Sequence, residues 1–203
     1  MKIHTLAGRG YASNCYLVES EGHAILIDPS LSPQDARQVI AHDFPMVDMI
    51  VLTHAHFDHM LYLSEWRKET GAPLAMHEHE RHALADPDKT AFSLFLGRSD
   101  VFAPPEHLLR DGSVLEFGAE KLRVMSTPGH TVGSICLFGD SCVFTGDTVF
   151  TEGSYGRTDL WSGDMGALVE SIRALVQCTH EGRMYPGHGP SGDFQEEMRY
   201  FIR

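Results

Sequence analysis

The chain is short of what would place it in a membrane, a disulfide-forming compartment or a nucleic-acid complex. No uncharged apolar run approaches the roughly 20 residues that a spanning helix needs, and Met1-Lys2-Ile3-His4 opens nothing like a secretory signal. The expectation is a cytoplasmic protein without a membrane partner. Cysteine is scarce: Cys15, Cys136, Cys142 and Cys178 show no CxxC spacing and mostly sit in apolar segments, the pattern of reduced core residues. Basic residues are scarce too, 16 Lys and Arg against 28 Asp and Glu, for a formal net charge of −12. No basic run alternates with aromatic residues, so nothing would neutralise phosphates; nucleic acid is excluded and a small-molecule substrate is expected. Low-complexity segments, linkers and obvious repeats are also missing. With 42% hydrophobic residues, the 203-residue chain can bury a full core, which predicts one domain over 1–203. Its oligomeric state stays open, a homodimer included.

What the chain does have is histidine in one place. His54-Ala-His56-Phe57-Asp58-His59 follows the apolar run Met49-Ile50-Val51-Leu52, which reads as a buried strand. The ligand-type residues therefore fall in the loop at a strand's carboxyl end, where α/β proteins place their chemistry. Histidines packed this closely repel one another when protonated and have little structural use, so a metal site is the better reading. Three further segments repeat the plan. Pro128-Gly129-His130-Thr131 follows the strand-like run from Lys121 to Met125, Gly146-Asp147-Thr148 follows the run from Cys142 to Phe144, and Tyr185-Pro186-Gly187-His188-Gly189 closes the set. Glycines beside the ligands let the backbone bend tightly and approach an ion.

Taken together, these segments make the sequence resemble the metallo-β-lactamase superfamily, whose signature is a THxHxDH loop followed by separate His, Asp and His loops. The likeness runs from Asn14-Cys15-Tyr16-Leu17 and Leu26-Ile27-Asp28-Pro29 to the PGHG loop. It implies an α/β (α+β) four-layer αββα sandwich. It also implies two divalent metal ions, zinc first with iron or manganese as alternatives. His54, His56 and His130 match the ligands of one site, Asp58, His59 and His188 those of the other, and Asp147 the bridging carboxylate. Asp28 would hydrogen-bond a ligand or its loop. A histidine directly after the motif's aspartate, here His59, is usual in glyoxalase II-like hydrolases and usually lacking in antibiotic-degrading β-lactamases. Gly156-Arg157-Thr158-Asp159 looks like a segment shared by short bacterial glyoxalase II-like hydrolases and persulfide dioxygenases. There Arg157, with Tyr155 beside it, would contact substrate, or Arg157 and Asp159 would pair to stiffen the loop; both could hold.

The implied function is that of a dinuclear hydrolase of small thioesters or esters. Two cations sharing Asp147 would lower the pKa of a bridging water and present hydroxide to a carbonyl, oriented by the catalytic Asp58. A thiolate leaving group needs little protonation, which suits a site with no obvious extra acid. Two other readings stand beside it: a mononuclear iron persulfide dioxygenase using His54, His130 and Asp147, and a non-catalytic metal-binding module. The chain also departs from the pattern. Met60-Leu61-Tyr62 stand where many relatives have glycines, which predicts bulk beside the second metal. It ends at Arg203 without the helical domain whose basic residues hold glutathione in full-length glyoxalase II, so glutathione specificity does not follow.

Elsewhere the sequence predicts three strands before Asp28, a helix opened by Ser32-Pro33, and a helix from about His59 to Thr70 ending at Gly71. A short strand from Pro73 to Met76 precedes a helical stretch through Ala85; strands near 113–117, 121–126, 134–138 and 142–145 precede an amphipathic helix bearing Met165, Leu168, Val169, Ile172 and Leu175. His77, His79 and His82 lie in a Glu-rich stretch that reads as solvated, and His4, His23, His42, His107 and His180 receive no role. Residues 86 to 109 read as an irregular loop with one helical turn. Its aromatic residues Phe92, Phe95 and Phe102 either bury in the core or an interface, or cap the metal cleft.

Overall fold

Apolar runs form strands here because both faces of most strands find a partner layer. A computed structural model of the chain describes residues 1–40 and 44–202; His42 and Arg203 lie outside the described residues. β1 (Lys2–Leu6), β2 (Cys15–Ser20) and β3 (His23–Ile27) make an antiparallel meander. α1 (Pro33–Val39) begins where the Ser32 hydroxyl accepts from the Asp35 amide at 3.1 Å, with Pro33 filling a first-turn position whose N–H would go unpaired. β4 (Met46–Val51) lies parallel to β3. α2 (Leu63–Thr70) stops at Gly71, and β5 (Leu74–His77), α3 (Phe92–Leu96) and β6 (His107–Leu109) complete the first six-stranded sheet and its helices.

The second sheet also has six strands. β7 (Val114–Phe117), β8 (Glu120–Ser126), β9 (Ile135–Phe138) and β10 (Cys142–Gly146) run antiparallel in sequence order. After α4 (Met165–Val176), capped by the Asp164 carboxylate on the Ala167 amide at 3.0 Å, comes β11 (Arg183–Pro186), parallel to β10. β12 (Gly192–Asp193) and α5 (Phe194–Met198) follow.

Side chains alternate between three apolar layers. Leu26 of β3 joins Leu17, Ile50, Leu63 and Trp66 under α1 and α2. Its neighbours Ile25 and Ile27 meet Val51, Leu122, Val124, Ile135 and Phe144 between the sheets. Cys136, Phe138 and Val143 meet Leu168, Ile172, Leu175 and Phe194 under α4 and α5. The result is the four-layer αββα sandwich. Each such large side chain stabilises by about 1.5–3 kcal/mol on burial, and Trp66→Ala is expected to cost about 3–5 kcal/mol. No helix among the described residues is long and apolar enough to cross a membrane.

Local departures from the expected pattern have physical causes. The helix expected from His59 begins at Leu63, because Phe57–His59 forms a 3-10 turn whose side chains are tied elsewhere. The stretch through Ala85 is two 3-10 turns, Glu78–Glu80 and Ala83–Ala85, not a helix. β6, inside the expected loop, is only three residues long and depends on tertiary pairing with β5 through Ala75↔His107 and His77↔Leu109. On α4, Leu168, Ile172 and Leu175 are buried, whereas Met165 and Val169 stay exposed.

Candidate metal centre

Five strand ends deliver their loops to one edge of the sandwich: Asp28 follows β3, the His54–His59 segment β4, His130 β8, Asp147 β10 and His188 β11. The last approach is tight. A Cβ at Gly187 would stand 2.1 Å from Asp147 Oδ1 and 2.7 Å from a His59 ring carbon, so no larger residue fits there. Asp28 leaves its strand at φ 51°, a left-handed conformation that Asp tolerates. From there its buried carboxylate accepts from Thr53 N at 2.8 Å, Thr53 Oγ1 at 2.7 Å and His59 Nδ1 at 2.8 Å. That last bond turns His59 Nε2 inward, 3.1 Å from Asp147 Oδ1.

The imidazoles are oriented by what their outer nitrogens touch. His130 Nδ1 donates to the Arg157 carbonyl at 2.7 Å, which leaves Nε2 as a bare lone pair. That lone pair faces His54 Nε2 at 3.1 Å and His56 Nδ1 at 2.8 Å. Lone pairs so close repel unless a proton or a cation lies among them. His56 Nε2 is buried without a hydrogen-bond partner, a condition worth about 1–3 kcal/mol of destabilisation. Three overlapping groups, His54/His56/His130, His54/His59/Asp147 and Asp58/His59/His188, each gather their ligand atoms within 4.8 Å. Asp147 spans them, with Oδ2 3.6 Å from His130 Nε2 and 3.5 Å from His188 Nε2. Asp58 Oδ2 lies 3.1 Å from His188 Nε2. The cluster fits two divalent metals, and its nitrogen and carboxylate donors suit zinc, manganese and iron alike.

Electrostatics divide the cluster. Burial, reinforced by the neighbouring histidines, holds His54 well below the ordinary imidazole range and His56 at about 3. Burial also lowers His130. These three are neutral, the state in which imidazole ligates. Burial opposes charge on His59 as well, but Asp147, Asp28 and Asp58 outweigh it and raise its pKa well above the ordinary value. His188 is raised by its bond to Asp58 and by Asp147, against the effect of burial. Asp147 is pushed below the usual carboxylate range, since His59 overcomes the penalty of its own burial.

Glu80 escaped the sequence reading, which placed it in a solvated stretch. It is fully buried, and its carboxylate accepts from the Ala55 amide, between His54 and His56, and from the Gly133 amide at 3.1 Å, three residues past His130. It thus pins together the two loops that supply the three neutral histidines. Apart from the Thr131 hydroxyl, its partners are backbone amides, which carry no sequence signature. His77 is likewise buried in β5, with Nε2 3.1 Å from Ser126 Oγ, while His79 and His82 are exposed as expected.

A cleft of about 410 Å³ opens over the cluster, lined by His56, Asp58, His130, Asp147 and His188 together with Tyr11, Phe57, Phe95, Phe150, Leu160 and Arg157. Arg157 sits at the cleft but is half exposed, and its guanidinium makes a two-pronged pair with Asp159 at 2.6 and 2.7 Å. Asp159 is itself exposed, touches no metal-type ligand and is pushed down to about 2 by its bond to Arg157. Tyr155 stands apart: it is about half exposed and bridges to Val149 without lining the cleft. The loop aromatics divide, Phe92 entering the core and Phe95 the cleft. Met60 is buried in the core, and Leu61 and Tyr62 line other hollows, so the bulk expected beside the second metal points away from it.

Comparison with known proteins agrees with this geometry. A probable metallo-hydrolase of Methanocaldococcus jannaschii is 34% identical over 200 residues, spanning 94% of either chain. The B3 metallo-beta-lactamase BLEG-1 is 30% identical, with a TM-score of 0.89 over 98% of this chain and 97% of that one. Another solved structure, in a di-iron-bound form, is also 30% identical, with a TM-score of 0.82 over 98% of each chain. A β-lactamase among these neighbours means that fold and overall identity do not repeat the separation expected from His59. The family model described as the metallo-beta-lactamase superfamily matches residues 8–188, and the chain belongs to that superfamily.

Proposed function

We propose that the chain, a metal-dependent hydrolase in general type, is a dinuclear hydrolase of small thioesters or esters. The observation that carries this reading is Asp147, whose two oxygens face the neutral-histidine group and the Asp58/His59/His188 group at once. His54, His56 and His130 would hold one ion, Asp58, His59 and His188 the other, and Asp147 both. When bound, the two ions supply Lewis acidity and make a water acidic enough to ionise near neutral pH. Asp58 presents its carboxylate to the cleft beside His188, placed to accept and hold the proton of an attacking water. Asp28 keeps His59 aimed inward, and the Arg157 carbonyl keeps His130 aimed inward. Attack on the carbonyl carbon forms a C–O bond and breaks the C–S bond, expelling thiolate, which leaves without help from an acid; no further carboxylic acid lines the cleft among the described residues. Four free cysteines suit work in a reducing compartment, which we place in the cytoplasm, with a small molecule as the partner.

The test is release of free thiol from acetyl or lactoyl thioesters by zinc- or manganese-loaded protein in the absence of oxygen. Oxygen uptake with a persulfide by the iron-loaded form, with no anaerobic thioester cleavage, would replace this reading with the dioxygenase. The likeness to BLEG-1 favours one second reading, β-lactam hydrolysis. Turnover of a β-lactam at rates above those of every thioester would establish it.

A further inference from the structure

Resting on the hydrolase reading of the same cleft, we infer that the substrate's acyl group is aryl or branched alkyl, seated on an aromatic wall of Phe95 and Tyr11 that the buried Phe57 backs. Phe57, between the ligand-type residues His56 and Asp58, borders the cleft but is only 5% exposed, so its ring backs the wall from the core side, within one residue of the reacting centre. Of the two groups bonded to the carbonyl carbon, the acyl carbon and the thiol sulfur, it is the acyl side that sits on this wall. Phe57 and Phe95 stack at 5.1 Å with an interplanar angle of 17°. Tyr11 stands 6.2 Å from Phe57 and 6.4 Å from Phe95, at steep angles to both, and is 64% exposed, which leaves its ring free to close on an occupant. Such offset and edge-on arrangements are the ones aromatic rings favour, and a third ring or branched alkyl group extends them. Charge points the same way. Among the described lining residues Arg157 is the one Lys or Arg side chain, and Asp159 already occupies its fork.

The experiment compares kcat/KM for acetyl, isovaleryl and phenylacetyl esters of one uncharged thiol, N-acetylcysteamine, with zinc-loaded protein. The wall predicts at least about a tenfold preference for phenylacetyl over acetyl, with isovaleryl between them. Phe95→Ala and Tyr11→Ala should each bring that ratio toward unity. The exposed Tyr11 supplies a variant that folds even if loss of the Phe57 stack harms Phe95→Ala. A second arm needs no turnover: by calorimetry, phenylacetate should bind the same protein at least about tenfold tighter than acetate, and Phe95→Ala should remove the difference. Thioester cleavage with no acyl preference would overturn the wall and leave the hydrolase standing. Tighter binding of phenylacetate without cleavage of any thioester would do the reverse.

Discussion

The two ends of the metal cluster are built on different principles. His54, His56 and His130 are at most 3% exposed and neutral, and the loops that carry them are clamped by Glu80. At the other end only His59 is fully buried; Asp58 has some solvent access, and the His188 side chain is 37% exposed. The first end is a rigid pocket of lone pairs that needs a cation to relieve it. The second is an acidic rim facing the cleft, where substrate and solvent arrive. The difference teaches that equal-looking motif histidines are unequal ligands: the buried end should bind first and release last.

The harshest way to break this comparison is to remove what both ends share. Asp147→Ala should take the protein from two metal equivalents to fewer than one by elemental analysis. Its activity should fall by more than the roughly 10–100-fold that loss of a mere supporting partner brings. Retention of two equivalents would show that Asp147 does not bridge. A sharper cut separates the ends. His188→Ala should lose only the weaker equivalent, whereas His54→Ala should weaken the tighter one, both read by titrating metal-free protein.

How much of this was legible beforehand depends on what each residue needs from its neighbours. That the seven ligand-type residues would gather in one place could be read from sequence because histidine and aspartate placed at strand ends advertise their chemistry directly. So could the layers, because the apolar runs of β3, β4, β9 and β10 match strands buried on both faces. Glu80 could not, since a glutamate satisfied by distant backbone amides looks in sequence like any surface acid. Nor could the direction of Met60-Leu61-Tyr62, which a 3-10 turn at Phe57–His59 rotates away from the cluster. The split of Phe92 into the core and Phe95 into the cleft follows from the short α3, whose boundaries the local pattern does not mark.

The supports give a smaller and paired test. Glu80→Gln places an amide where two backbone N–H groups need acceptors, so it should destabilise by about 1–3 kcal/mol and weaken the tighter ion about 10–100-fold. Asp28→Asn, which keeps a residue tolerant of φ 51°, should weaken the second ion by a similar factor and spare the first. If both variants weakened the same ion, the two ends would not be independently supported. The smallest effect is expected at the rim. Arg157→Ala removes an exposed pair and should leave the melting temperature nearly unchanged; a several-fold rise in KM with little loss of kcat would show that Arg157 contacts substrate.

The most direct measurement is anomalous diffraction from crystals grown with limiting and then excess zinc. With limiting metal, one peak should appear among His54, His56 and His130; with excess, a second should appear among Asp58, His59 and His188, both in contact with Asp147. A single peak at saturation, or first occupancy at the His188 end, would contradict the account.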